Sequence, residues 1–117
     1  MDGHDLLAIE KRMEDARLYL RNNAANYGDA KQVREFSSDR RKQTLARHMR
    51  PFVNNGDSNA LADTKARSGD AYAIELDKLA DAYAAAETTI ALYDAAEVSF
   101  DAARSLLSMA KSQMQLA

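Results

Sequence analysis

The chain contains no cysteine, no tryptophan and a single proline in 117 residues. Without cysteine there is no disulfide framework and no thiolate zinc site. No apolar run approaches the ~18 residues a membrane-spanning helix needs. The N-terminus, Met1-Asp2-Gly3-His4-Asp5, is acidic and lacks an apolar core, so no secretory signal is expected and the cytoplasm is the expected location. Turn chemistry is scarce, with Pro51 and four glycines. Large core residues are also few, with three phenylalanines and five tyrosines, and alanine supplies much of the apolar content. Long helices packed closely through small residues fit this composition, and β architecture does not. The length suits one domain.

The formal net charge of −2 conceals an asymmetry. Residues 31–50 carry net +5, whereas 1–30 carry −2 and 71–117 carry −4. Such clustering says more about a partner than the total does.

Leu6, Ile9, Met13, Ala16, Leu20, Asn23 and Tyr27 recur at 3-4 spacing, which predicts a helix over about residues 4–27 with a coiled-coil seam. Gly28 is a plausible break or kink, and the alternative is a helix that runs through it. Val33 and Phe36 form an isolated apolar pair. Ser37-Ser38-Asp39 reads as an N-cap. Leu45, Met49 and Phe52 then line one face of a second helix, which Pro51 is expected to stop. "PFVNNGDS", residues 51–58, is the clearest loop, turning at Asn55-Gly56. Leu61 to Arg67 predicts a short helical lead-in, and Ser68-Gly69-Asp70 a break and a fresh cap. Beyond it, Tyr72, Leu76, Leu79, Tyr83, Ala86, Ile90 and Tyr93 form a seam. It takes one short step to Ala96 and resumes at Phe100, Ala103, Leu107, Ala110 and Met114; two consecutive steps of three are a stammer.

The expected fold is all-α: a long antiparallel helical hairpin with coiled-coil packing, assembled into an oligomer. It forms one elongated domain over 1–117, divided into 1–50 (an N-terminal helix plus the basic helix), the 51–58 loop and a long C-terminal helix over 59–117. Tyr72, Leu76, Leu79, Tyr83, Ile90, Tyr93, Phe100 and Leu107 are the candidate oligomerisation residues. Ile74, Leu92, Val98 and Leu106 lie off the main seam and suggest a second contact face.

No catalytic constellation, metal site or cofactor motif is present, so a non-enzymatic protein is expected. His4 and His48 lack ligand partners at helical spacing and read as solvent-facing. The glycines are isolated, so there is no phosphate-binding loop. Asp77, Asp81, Glu87, Asp94 and Asp101 read as a solvated acidic stripe. Tyr72, Tyr83 and Tyr93 lie on the seam and read as core, not as a stacking platform. Glu97 and Arg104, seven apart, are possible interhelical partners.

The basic segment stands out. Opposite Leu45, Met49 and Phe52, the residues Arg40, Gln43, Arg47 and Arg50 follow at 3-4-3, with Arg41 and Lys42 flanking. This stripe is about 15 Å long at 1.5 Å per residue. Arginine's planar fork suits bidentate phosphate contacts and stacking on bases. A stripe tracking a nucleic-acid backbone gives affinity without sequence readout. Arg40, Arg41, Lys42, Arg47 and Arg50 are the candidate phosphate contacts, with Lys31 and Arg34 secondary. A solvated face, or one paired with an acidic helix, is the other reading.

The order of parts, with "RKQTLARHM" followed by a Gly/Asp-containing loop and a long helix from "YAIELDKLADAY" to "LLSMAKSQM", resembles the bacteriophage recombination mediators of the UvsY type. The last helix also resembles small phage proteins encoded near recombination genes, with Phe100-Asp101-Ala102-Ala103-Arg104-Ser105 at the matching stretch and Ala103 where those have tryptophan. Leu45-Ala46-Arg47-His48-Met49 stands at the mediators' DNA-binding run. The resemblance implies a ring-like homo-oligomer in the host-cell cytoplasm that binds single-stranded DNA and helps a recombinase displace the single-strand-binding protein. Two rival readings are a small phage helical inhibitor, of anti-CRISPR or host-takeover type, presenting Asp77, Asp81, Glu87 and Asp94, and a structural hairpin dimer.

Overall fold

The computed structural model describes residues 3–116, apart from the side chain of His4, so the expectation for that histidine lies outside the described residues. Among the described residues three helices follow in order: α1 (Gly3–Asn54), α2 (Asn59–Arg67) and α3 (Asp70–Leu116). No strand occurs among the described residues. The fold is all-α, and α1 and α3 pair antiparallel as in a helical hairpin.

Two local expectations are corrected. Ser37-Ser38-Asp39 is not a cap: it lies inside α1, and the Ser37 hydroxyl donates to the Arg34 carbonyl at 3.1 Å. A serine bonded back into its own helix does not interrupt it. Pro51 does not stop the helix either; α1 runs on to Asn54. A proline in a helix interior costs about 3 kcal/mol, but Pro51 lies in the last turns, where half-buried Met49 and Phe52 hold the chain in register. Gly28, left open by the sequence, is helical, and α1 passes through it.

The turn is shorter than "PFVNNGDS". The Gly56 N–H bonds to the Val53 carbonyl at 3.0 Å, and the Asp57 N–H to that of Phe52 at 3.1 Å. This pair of bonds is a Schellman motif closed by a left-handed residue, Gly56 at φ 97°. Ser58 then caps α2, its hydroxyl accepting from the Leu61 N–H at 3.2 Å. The break at Ser68-Gly69 is as expected, with the Ser68 N–H bonding back to the Thr64 carbonyl.

The chain divides into two units. The first, Met1–Gly28 with Thr88–Ala117, pairs the N-terminal part of α1 with the C-terminal part of α3. Ala16, Ile90, Ala103 and Ala110 are its buried residues. Tyr27 stacks on Tyr93 with ring centroids 4.0 Å apart, and its hydroxyl donates to Asp94 at 3.2 Å. Arg12 donates to the Ser99 hydroxyl at 3.1 Å.

The second unit, Asp29–Glu87, holds the rest of α1, all of α2 and the start of α3. It buries Ala30, Thr44, Ala62, Ala66, Tyr72 and Ala86. The α1 seam here runs through Ala30, Val33, Ser37, Thr44, His48 and Phe52. Thr44 is buried because its hydroxyl donates to the Arg40 carbonyl at 2.8 Å, which satisfies it within the helix.

On α3, every expected seam residue from Tyr72 to Ala110 is buried or half-buried. Met114 is exposed and leaves the seam. Phe36, expected to pair with Val33, is also exposed.

Candidate nucleic-acid interface

All the candidate phosphate contacts belong to the second unit, and all are exposed. The inward face of α1 there is centred on Ser37, Thr44 and His48, with Leu45, Met49 and Phe52 half-buried beside it. This rotation matters for the cations. Arg47 does not point away from the hairpin; its guanidinium pairs with Glu75 of α3. Arg34 pairs with Glu87 of α3 at 3.3 Å. Lys31 is exposed. Arg40, Arg41, Lys42 and Arg50 make no ion pair or side-chain hydrogen bond among the described residues.

His48 is not solvent-facing. It sits on the seam, edge-on to the buried Tyr72 ring with centroids 5.7 Å apart. Its Nε2 lies 3.2 Å from Glu75 Oε2. The approach is not aligned for a well-formed hydrogen bond, and Nε2 has no other partner. Glu75 therefore faces two groups from α1. Its carboxyl is held below its ordinary 4.5, chiefly by the nearby His48 ring; desolvation opposes this as the next largest effect, and the Arg47 charge adds to the lowering.

Arg41 and Lys42 wall a groove of about 450 Å³ together with Arg67. Leu45, Leu76 and Ala80 form its apolar lining, Tyr72 lies at its inner side, and Asp77 is its one carboxylate. Arg67 was not legible as a site residue, because only the α2–α3 turn brings the end of a short helix beside Arg41. Its Nε donates to Asp63, so Arg41 and Lys42 are the groove's unpaired cations. The acidic stripe thus contributes Asp77 to the groove, where it limits how much negative charge can enter. Arg40 and Arg41 also border a narrow cleft beside Leu79 and Ala82.

The candidate oligomerisation residues fall within the seam of one chain. In the second unit Tyr72 is buried and Leu76, Leu79 and Tyr83 are half-buried; in the first, Ile90 is buried and Tyr93, Phe100 and Leu107 are half-buried. Arg104 pairs with Asp101 along its own helix at 3.5 Å. Among the described residues no group of three or more His, Asp or Glu side chains is placed to hold a metal ion, and no helix is long and apolar enough to cross a membrane.

No protein-family model, curated protein or solved structure matches this chain.

Proposed function

We propose that this protein is a non-enzymatic binder of single-stranded DNA, without sequence specificity, acting in phage recombination as a mediator and homo-oligomer that helps load a recombinase. The carrying observation is that Arg40, Arg41, Lys42 and Arg50 remain unpaired while neighbouring cations are taken by Glu75 and Glu87. Arg41 and Lys42 stand over an apolar lining. A phosphate held by these two cations puts the attached sugar and base against Leu45, Leu76 and Ala80. Duplex DNA keeps its bases stacked inside, so this arrangement favours a single strand. No base-reading motif is present, which fits binding through the backbone. The recombination role rests on the resemblance to UvsY-type mediators. The rival reading, an acidic surface mimicking nucleic acid, is weakened because Glu87 is engaged by Arg34 and Asp94 by Tyr27.

The test is titration of labelled oligo-dT at several salt concentrations. Four phosphate contacts give a slope of log K against log salt of about −3. Arg41→Glu with Lys42→Glu weakens binding at least roughly tenfold and lowers the slope by about 1.4, while Lys111→Glu in the first unit leaves both unchanged. Absence of wild-type binding at ~50 mM salt overturns the proposal.

A further inference from the structure

Residues 91–116 of α3 carry five charges, and a heptad register sorts them. With Ala95, Ala102 and Met109 at position a, the main seam through Tyr93, Ala96, Phe100 and Ala103 occupies b and f. Asp94 and Asp101 fall at g, and Glu97, Arg104 and Lys111 at c. Around a helix the columns follow in the order d, a, e, b, f, c, g. All five charges therefore occupy two adjacent columns, and the other five columns form one uncharged arc. α1 covers b and f. Columns d, a and e are mostly open, with Val98 69%, Met109 58% and Leu92 55% exposed; Ala102 and Ser99 are half-buried, and Arg12 of α1 reaches Ser99 on column e. A helix uncharged over most of its circumference is one that is covered on more than one side.

We infer that columns d, a and e of α3, centred on Leu92, Ala95, Val98, Ala102, Leu106 and Met109, form the interface with a second copy of this chain. Three columns of a helix about 10 Å across are roughly 13 Å wide, and 26 residues are about 39 Å long. The face covers at most about 500 Å² on each copy, or about 1,000 Å² together, which is the lower bound for a specific interface. The occupant must bring an equally long uncharged helical face, and this chain carries one. Two such faces related by a twofold axis bring no like charges of α3 itself against each other, and Arg12, a cation at the border, is held at Ser99. Alanines at a let the two backbones approach closely. A single copy is also poorly provided with core: among the described residues seven of the nine buried apolar ones are alanine, and no large side chain is fully buried. The interface deepens the homo-oligomer of the proposed function but rests on the first unit alone and needs no DNA.

Light scattering without nucleic acid tests it. Wild type has at least twice the 12.9 kDa chain mass, and Ala95→Glu with Ala102→Glu reduces it to one chain with helical circular dichroism unchanged. Because the chain has no cysteine, single-cysteine variants report the contact even where the charged variant unfolds. On oxidation, at least one of Ala95→Cys, Val98→Cys, Ala102→Cys and Ser105→Cys gives a covalent dimer, and Glu97→Cys and Arg104→Cys do not. A wild-type mass of one chain at ~100 µM, a mass unchanged in the folded charged variant, or cross-linking as efficient at Glu97 overturns the inference. Oligo-dT binding is scored separately with Arg41→Glu, so loss of the DNA reading is distinguishable from loss of the interface.

Discussion

Glu75 joins three side chains whose spacing gives no hint of one another. It receives Arg47 and His48, one residue apart on α1, and lies one turn from Tyr72, against whose ring His48 packs. Arg47 is thereby occupied, whereas Arg40, Arg41, Lys42 and Arg50 have no ion-pair partner among the described residues. The pH dependence follows from the direction of its shift. The folded chain holds this carboxyl below 4.5, the value it regains on unfolding. Its contribution is thus complete above the unfolded value and is lost as pH falls through the lower folded value. Glu75→Gln should therefore lower the wild-type melting temperature at pH 7 and flatten its fall between about pH 5 and pH 3. Glu14, lowered by its hydrogen bond to Arg17, keeps some acid sensitivity in the variant. Thermal melts by circular dichroism at several pH values decide it; equal acid sensitivity in variant and wild type removes Glu75 from the explanation.

Within the elements, two glycines occupy opposite conformational situations. Gly28 is helical inside α1, and a methyl group added there meets nothing within 4 Å. Gly28→Ala should stabilise the chain by about 0.5–1 kcal/mol, because alanine loses less backbone entropy on entering a helix. Gly56 closes the Schellman turn at φ 97°. Gly56→Ala meets no clash either, yet should destabilise by about 1–2 kcal/mol through the left-handed backbone alone. Urea unfolding of both variants gives opposite shifts of the midpoint; shifts of the same sign contradict this account. Pro51 illustrates the same competition. Its preference to end a helix is local, and the packing of Met49 and Phe52 on either side outweighs it.

For the molecule as a whole, the core is thin and the apolar surface generous. Large apolar side chains from Leu7 to Leu116 stand exposed, while alanine dominates the buried set. Coiled-coil seams stabilise through buried area, and alanine contributes little of it. Stability should therefore depend on association, and the melting temperature should rise by roughly a few degrees for each tenfold increase in protein concentration. A melting temperature constant over a hundredfold range would mean that one copy supports itself. Oligo-dT at saturating concentration should raise it further if the basic groove binds DNA.

The amino-acid order alone determined the helical class, the α3 seam from Tyr72 to Ala110, the break at Ser68-Gly69 and the turn at Gly56. These depend on propensity, periodicity and glycine stereochemistry, which act over a few residues. Spacing also located the basic segment. It could not determine which way Thr44, Ser37 and His48 face, because small or polar residues become seam residues only when an opposing helix covers them. Nor could it tell which cations are occupied. Arg34 and Arg47 look like Arg40 and Arg41 until α3 brings Glu87 and Glu75 to them. Arg67 joins the groove only through the α2–α3 turn. The charge pattern was written along the chain; the partners were decided by antiparallel pairing, since ion pairing depends on distances through space that sequence separation does not encode.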